Sequence, residues 1–216
     1  MLDRFTWFKQ AAYRWDGDGL TLYIDPWGIP DGAPPADVVV ITHAHFDHFV
    51  MEDIEKIRTD ATAFVAPHDV AAELSGDVHP VAPGDTFEAG GVKGEAVPAY
   101  NIIEGRQDNH PKANGWVGYV LDLGGNRCYH AGDTDHLPEL ERVRADVTFL
   151  PIGGAGYTMN GREAADLAKA ISPEVAVPMH YGFVEGCHAL DETDVFREAA
   201  APVRVEVLDP VVSFEF

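Results

Sequence analysis

The sequence has few basic residues. Lys and Arg number 15 against 36 Asp and Glu, which gives a formal net charge of −21. Proteins that bind nucleic acid need basic side chains to replace the counterions of the phosphates, so we expect no nucleic-acid partner. Excess acid with few lysines also suits a highly saline cytoplasm, in which salt screens the repulsion between carboxylates.

Cysteines and long apolar runs are scarce as well. Only two cysteines, Cys128 and Cys187, are present, and they do not form a C-x-x-C motif, so a disulfide framework and a thiolate zinc site are excluded. An intracellular setting favours two reduced thiols. The longest apolar runs, such as residues 38–41, have strand length rather than the roughly 20 residues of a membrane helix. The N-terminus lacks the apolar core of a signal peptide. We therefore expect a cytoplasmic protein with no membrane partner.

The fold class follows from the order of strands and helices. The 216 residues, 46% of them hydrophobic, suffice for a single domain over residues 1–216. Neither G-x-G-x-x-G nor G-x-x-x-x-G-K is present, so a nucleotide-binding fold has no support. Strands outnumber helices and do not alternate strictly with them, which predicts an α+β protein whose two sheets are covered by outer helices.

Short apolar runs bounded by turn residues predict the strands. These runs cover residues 4–8, 11–15, 20–24, 38–42, 62–66, 92–98, 116–122, 127–131, 146–151, 175–179, 203–208 and 212–216. Apolar spacing predicts helices at residues 51–58, 138–145, 161–171 and 190–199. The third helix has the clearest limits, because Asn160 and Glu163 match a capping box and Ser172-Pro173 ends it.

The strongest motif is HAHFDH at residues 43–48, which has the pattern H-x-H-x-D-H. A chance occurrence in a chain of this composition is on the order of one in several hundred. The motif follows the apolar run VVVIT and so lies in a loop after a predicted strand, where binding residues concentrate. His43 and His45 can point the same way because side chains alternate in an extended segment, which leaves Asp47 and His48 for a neighbouring site. A solvated polar loop is the alternative.

Four ligands do not complete such a site, so we expect partners downstream. Asp133 in GDTD and His180 in PMHYG each follow the end of a predicted strand, and His110 in NHPK lies in a loop between two strands. This setting matches that of the first motif. His68 and His79 are rivals of His110, but each lies near a predicted helix start or turn.

HAHFDH, GDTD and PMHYG, in this order, resemble the metallo-β-lactamase superfamily of metal-dependent hydrolases. IDPWG before the first motif, and PIGG with YTMN after the aspartate, resemble the branch that contains ascorbate phosphate lactonases and N-acylphosphatidylethanolamine phospholipase D. The likeness spans roughly residues 5–190. It implies the metallo-β-lactamase fold, a four-layer αββα sandwich, with two divalent metal ions in a groove at one edge of the sheets.

The resemblance also implies a role for each candidate ligand. One ion would be held by His43, His45 and His110, the other by Asp47, His48 and His180, and Asp133 would bridge them. Many relatives place the third histidine close behind a Pro-Ala dipeptide, whereas Pro98-Ala99 is followed here by Tyr100-Asn101. His110 therefore departs from the pattern of these relatives.

The expected ligands determine the expected chemistry. Imidazole and carboxylate ligands without a thiolate suit zinc or manganese, and also iron. Two such ions lower the pKa of a shared water toward neutrality, so we expect a hydroxide that attacks a small ester, lactone or phosphoester. Asp47 and Asp133 are the candidate catalytic carboxylates. His130 and Asp135 are candidates for protonating the leaving group, with a structural role as the alternative, and Asp25 is expected to hydrogen-bond the metal loop.

Three other functions remain as alternatives. The same fold houses mononuclear iron oxygenases, although seven assignable ligands favour the dinuclear hydrolase. Some nucleases use H-x-H-x-D-H, but the acidic charge and the lack of a basic arm disfavour RNA. A metal-stabilised protein without catalysis is the third. For a small-molecule substrate, the candidate wall residues are Tyr157, Thr158, Tyr181 and His188.

Overall fold

The computed structural model describes residues 1–154, 156–187 and 191–215, and its strands form two sheets. The first sheet has the order β1 (Phe5–Trp7), β2 (Tyr13–Gly17), β3 (Leu20–Ile24), β4 (Val38–Val40), β5 (Ala63–Pro67) and β6 (Asp77–Val81). Its first three strands are antiparallel, and β3 to β6 are parallel.

In the second sheet, strands that follow one another in sequence are also neighbours. It contains β7 (Thr86–Ala89), β8 (Val92–Pro98), β9 (Val117–Leu123), β10 (Asn126–His130), β11 (Val147–Pro151), β12 (Val175–Met179) and β13 (Arg204–Val205). The pairs from β7 to β10 are antiparallel, and those from β10 to β13 are parallel.

Helices cover the outer faces of the sheets. The α-helices are α1 (Met51–Ile57), α2 (His68–Ala71), α3 (Gly161–Ile171) and α4 (Glu192–Ala199), and 3₁₀ helices lie at Leu2–Arg4, Lys112–Asn114 and Pro138–Arg142. Over the residues that the structure describes, none of these helices has both the length and the apolar character needed to cross a membrane.

Alternate residues of the first sheet face different layers. In β4, Val38 and Val40 belong to the apolar core shared with the second sheet, whereas Val39 packs in a separate cluster with residues of α1 and α2. This period of two is that of a strand covered on both faces. In the second sheet α3 packs against β11, all of whose residues are buried. The layers are helix, sheet, sheet and helix, which confirms the predicted α+β four-layer αββα sandwich.

The strand and helix predictions hold best where local signals agree. β3, β8 and α3 have the predicted limits, and the capping box is present: the Asn160 side chain accepts from the N–H of Glu163, whose carboxylate accepts from the N–H of Asn160. β6 and β7 were not predicted. Pro80 interrupts the apolar pattern of β6, in which only Val81 is buried, and β7 is only four residues long.

Two predictions near the ends of elements are wrong. The helix predicted at 138–145 is a 3₁₀ helix that ends at Arg142. No strand forms in the described part, residues 212–215, of the one predicted at 212–216. Its apolar alternation reflects packing instead, because the ring of Phe214 lies against Trp7, Tyr181 and Phe183. Residues 190 and 216 of the predicted elements lie outside the described ranges.

Candidate metal centre

The loops that carry the candidate residues meet at one edge of the sandwich. β4 leads into residues 43–48, β10 leads into the loop with Asp133, and β12 ends directly before His180. The backbone N–H of His180 donates to the carbonyl of Gln10 at 3.0 Å, which joins the two sheets at this edge. The fold therefore brings together loops that are far apart in the sequence.

Asp25 holds the loop of residues 43–48 from behind. Its carboxylate accepts hydrogen bonds from the backbone N–H and the hydroxyl of Thr42, both at 2.7 Å. The same carboxylate lies 2.7 Å from Nδ1 of His48, so that Nε2 of this ring points toward Asp47 and Asp133. The hydrogen bonds expected of Asp25 are present. Asp25 itself has a φ of 46°, a strained conformation for a non-glycine residue.

The side chains expected to hold metal lie in two adjacent groups. The first consists of His43, His45, His110 and Asp133, and the second of Asp47, His48 and His180. Within each group the potential ligand atoms lie within 4.8 Å of one another. All seven side chains are buried except His45, which is half-buried.

Asp133 lies between the two groups. One of its carboxylate oxygens is 3.3 Å from Nε2 of His110 and 3.9 Å from Nε2 of His43 in the first group. The same carboxylate is 2.9 Å from Nε2 of His180 and 3.4 Å from Nε2 of His48 in the second. A single carboxylate thus reaches histidines of both groups.

Several of these atoms are buried without a hydrogen bond. Nε2 of His48, His110 and His180 and one oxygen of Asp133 form no well-aligned hydrogen bond among the described residues, although the nitrogens lie 2.9–3.4 Å from the Asp133 carboxylate. Leaving a buried polar atom unpaired costs about 1–3 kcal/mol, so a cluster of such atoms calls for a compensating ligand. Imidazole nitrogens and carboxylate oxygens are donors that zinc, manganese and iron accept. The residues present therefore fit divalent metal ions.

The carboxylates and imidazoles of the centre shift one another's pKa values. Burial lowers the pKa of His48, but carboxylates led by Asp133 and Asp47 outweigh burial and raise it from 6.5 to about 10. Burial is likewise outweighed at His180, where Asp133 raises the pKa well above 6.5. Although burial favours its neutral form, Asp133 has a pKa well below 3.8 because of His180 and His48. The cluster therefore attracts positive charge, which metal ions supply when they displace the protons.

His110 is held by a residue that sequence reasoning did not identify. The side-chain oxygen of Asn101, which is buried, lies 2.7 Å from Nδ1 of His110, and the Asn101 N–H donates to the His110 carbonyl at 2.9 Å. Asn101 closes the Pro98-Ala99-Tyr100-Asn101 segment that departs from many relatives. Of the rivals of His110, His68 is exposed at the start of α2, and His79 pairs with Asp77 at 3.1 Å.

The loop between Asn101 and His110 is fixed by a chain of charged groups. Asp135 accepts hydrogen bonds from the backbone N–H groups of Ile102 and Ile103 and pairs with Arg106 at 2.7 Å. Arg106 also donates to Glu163, the capping-box residue of α3, at 2.9 Å. Asp135 therefore anchors a backbone loop, which is the structural alternative to its expected role as a proton donor.

His130 has a structural setting too. Its Nε2 lies 2.9 Å from the carbonyl oxygen of Ala11, and its Nδ1 accepts from the N–H of Gly132. The ring is buried against Tyr13 and Phe149, and burial lowers its pKa. With both nitrogens bonded to backbone, His130 is not available to protonate a leaving group. This geometry favours the structural alternative.

Gln10 and Trp116 also contact the centre, although neither was singled out from the sequence. Gln10 is buried with a φ of 42°, and its side-chain nitrogen lies 3.4 Å from Nδ1 of His180. The ring of Trp116 lies 5.0 Å from His43 and 4.9 Å from His45 and donates to Asp69 at 2.7 Å. An amide and an indole carry no metal signature of their own, so only spatial proximity reveals them.

The PIGG segment is explained by close packing at the second group. A Cβ built on Gly153 would lie 2.3 Å from the carbonyl oxygen of His180, closer than any real contact. Glycine is therefore required at this position for the His180 loop to pass. His180 itself has a φ of 61°, so the chain turns sharply there.

A cavity of about 210 Å³ opens onto both groups. Besides residues of the two groups it is lined by Phe46, Asn109, Tyr157, Val184 and Cys187. Tyr157 was among the candidate wall residues, whereas Thr158 and Tyr181 are buried and are not among the described lining residues. His188 lies outside the described residues. Cys187, read from the sequence as a plain loop thiol, lies in the wall of the cavity.

This chain is similar to known proteins in both sequence and structure. The model of the beta-lactamase superfamily domain matches residues 4–180. A UPF0173 metal-dependent hydrolase of Methanopyrus kandleri is 32% identical, over 98% of this chain and 99% of that protein. A structure from Parabacteroides distasonis superposes with a TM-score of 0.83 at 30% identity, over 95% of this chain and 92% of that one. Igni18, a metallo hydrolase of Ignicoccus hospitalis, gives a TM-score of 0.77 at 28% identity and covers 98% of both chains.

Proposed function

Because this chain belongs to the beta-lactamase superfamily and is a metal-dependent hydrolase, we propose that it cleaves a small ester, lactone or phosphoester at a dinuclear centre. The observation that carries the proposal is the position of Asp133, whose carboxylate lies within 4 Å of histidines of both groups. A carboxylate between two sets of imidazoles is suited to bridging two cations.

The proposed ligands divide as the two groups do. His43, His45 and His110 would hold one ion, Asp47, His48 and His180 the other, and Asp133 both. Zinc and manganese suit this set, and iron is compatible with it, because all donors are imidazoles or carboxylates. When bound, two divalent ions would supply Lewis-acid chemistry, which lowers the pKa of water toward neutrality and polarises a carbonyl or phosphoryl oxygen.

The chain's own residues fix the orientation of the donors. Asp25 and Asn101 bind the Nδ1 atoms of His48 and His110, which keeps each Nε2 facing Asp133. Asp47 and Asp133 line the cavity and are the proposed catalytic carboxylates, because both are held ionised beside the imidazoles. The sandwich shields the donors from bulk water on the side away from the cavity mouth.

A metal count paired with an activity panel tests the proposal. Protein loaded with zinc, manganese or iron is analysed for ions per chain and assayed on carboxylic esters, lactones and phosphodiesters, with oxygen uptake followed in parallel. We expect two ions per chain and hydrolysis without oxygen uptake. One iron per chain with oxygen consumption would instead show the oxygenase chemistry that other proteins of this fold perform.

Asp133→Asn tests the bridging role in the same assays. The amide cannot give an anionic oxygen to each ion, so we expect fewer bound ions and a loss of turnover of about a hundredfold or more. Asp122→Asn is the control, because Asp122 is an exposed acid on β9 and its replacement should leave both readouts unchanged. Full turnover in Asp133→Asn would contradict a bridging Asp133.

A further inference from the structure

The mouth of the cavity carries exposed apolar side chains. Phe46, between the candidate ligands His45 and Asp47, is 68% exposed, and its ring is held edge-on against Trp27 at 6.1 Å. Tyr157, on the loop before α3, is 40% exposed. We call Phe46, Tyr157 and Val184, which all line the cavity, the apolar rim. Large apolar groups left in water beside a binding site are the usual sign of an apolar ligand.

The described lining of the cavity includes Asp47 and Asp133 but neither lysine nor arginine, so outside the proposed metal centre it offers no fixed positive charge. Arg106, in the loop that ends at His110, is already paired with Asp135 and Glu163. The side-chain NH₂ of Asn109 donates to the carbonyl of Gly156 at 2.8 Å.

Recognition of a phosphate or carboxylate group uses arginine, lysine or free N–H donors. Neither arginine nor lysine is among the described wall residues, and the net charge of −21 repels anions as they approach. A substrate with a second, anionic group would therefore meet no lysine or arginine among the described residues of the cavity wall. The small volume, about 210 Å³, also limits the size of that substrate.

We infer that the substrate is a small carboxylic ester or lactone whose acyl part is an uncharged hydrocarbon, and that this part lies on the apolar rim. This inference rests on the proposed function and narrows it: sugar phosphates and other substrates with a second anionic group are excluded. The reaction stays hydrolysis, in which hydroxide adds to the acyl carbon, the acyl–oxygen bond breaks and the leaving oxygen takes a proton.

Hydroxamic acids test the inference by binding alone, because a hydroxamate chelates metal while its tail reports on the rim. Affinities for zinc-loaded protein are measured by calorimetry for acetohydroxamic acid, hexanohydroxamic acid and the monohydroxamate of adipic acid. The last two have the same length and differ in ending with a methyl or a carboxylate. We expect hexanohydroxamic acid to bind at least about tenfold more tightly than either of the others.

Variants of the apolar rim test whether the tail of hexanohydroxamic acid gains its affinity there. Phe46→Ala and Val184→Ser should abolish most of the gain in affinity from acetohydroxamic to hexanohydroxamic acid. The affinity for acetohydroxamic acid and the zinc content should stay unchanged. Val211→Ser is the matched control, since Val211 is also exposed but does not line the cavity. It should retain the full gain. A gain that survives both rim variants would overturn the inference.

The outcomes separate the inference from the proposed function. If the hydroxamates bind with equal affinity, or the adipic compound binds most tightly, the apolar substrate class is wrong while a metal centre with open positions remains. If zinc-loaded protein binds no hydroxamate, the proposed centre itself fails, and the inference fails with it.

Discussion

Each buried histidine of the two groups is held through Nδ1. The partners of these atoms are Thr42 for His43, Asp25 for His48, Asn101 for His110 and Gln10 for His180. Such partners fix which nitrogen is free to bind a metal and how the ring is turned. The Nε2 atoms of these four rings therefore lie within 4 Å of the Asp133 carboxylate before any cation arrives.

The sequence predicted the histidines and aspartates of this cluster better than it predicted their partners. The H-x-H-x-D-H spacing and the strand-end settings of Asp133 and His180 are local patterns, and the structure brings these residues together as expected. Asn101 and Gln10 act through contacts across irregular segments. Their role depends on which side chains lie nearby in space, and this proximity cannot be read from residue type and spacing.

Replacing Asn101 should weaken metal binding through His110. Asn101→Leu removes the acceptor for Nδ1 of His110, so we expect metal affinity to fall about 10–100-fold. Asn101→Asp keeps an oxygen at the same place and should bind metal much as the parent does. Competition titrations with a chelating dye measure both variants. Equal affinity in the parent and Asn101→Leu would show that Asn101 does not position the ring.

The raised histidine pKa values predict how stability depends on pH in metal-free protein. His48, with its pKa raised from 6.5 to about 10, and His180 keep protons that the unfolded chain releases above pH 6.5. The folded state then binds more protons, so the free energy of unfolding falls with rising pH by about 1.4 kcal/mol per unit for each proton retained. Burial is the main cause of the lowered pKa values of His43 and His45. Both are neutral in the folded and the unfolded chain above pH 6.5, so they add no pH dependence to the free energy of unfolding there.

Urea unfolding with a chelator between pH 6.5 and 9 measures this loss. The upper limit avoids Cys128, whose pKa burial raises from 9.0 to about 12 and which adds its own pH dependence above pH 9. Zinc-loaded protein should not lose stability over this range, because metal replaces the protons. His48→Gln should reduce the slope. A flat profile for the metal-free parent would contradict the retained protons.

At the scale of elements, local signals determined how well the limits could be predicted. The limits of α3 follow from a capping box and a Ser-Pro terminator, and those of β3 from an apolar run that ends at Asp25-Pro26. β6 contains Pro80 and buries only Val81, so its pairing with β5 comes from the tertiary fold. The 3₁₀ helix at Pro138–Arg142 lies against α3, and no local sequence pattern predicts this contact.

The start of α3 also stabilises the loop that carries His110. Arg106→Met removes the cation between Asp135 and Glu163, so we expect a loss of about 1–3 kcal/mol and faster amide exchange at Ile102 and Ile103. Arg197→Met, which breaks an exposed pair within α4, should cost about 0.5 kcal/mol or less. Exchange measured by mass spectrometry and urea unfolding test both variants. Unchanged exchange at the loop in Arg106→Met would show that the charged chain does not hold it.

At the scale of the whole molecule, the surplus of acid is the dominant property. Acidic residues outnumber basic ones by 36 to 15, and all five lysines already lie within ion-pair distance of a carboxylate. Mutual repulsion of the remaining carboxylates destabilises the compact state. Composition alone gives this property, since it requires no knowledge of the fold.

Salt should therefore stabilise the protein. Raising KCl from dilute to 1 M shortens the screening length from roughly 10–30 Å to about 3 Å, so repulsion between surface carboxylates is largely removed and the melting temperature should rise. Replacing the exposed Glu73, Glu174 and Glu198 by lysine changes the charge by two units each and should raise the melting temperature in dilute buffer while reducing the gain from KCl. The same three residues replaced by glutamine should give about half the effect, which separates charge from side-chain packing. A melting temperature that falls with KCl in the parent would contradict the dominance of repulsion and the expected adaptation to a saline cytoplasm.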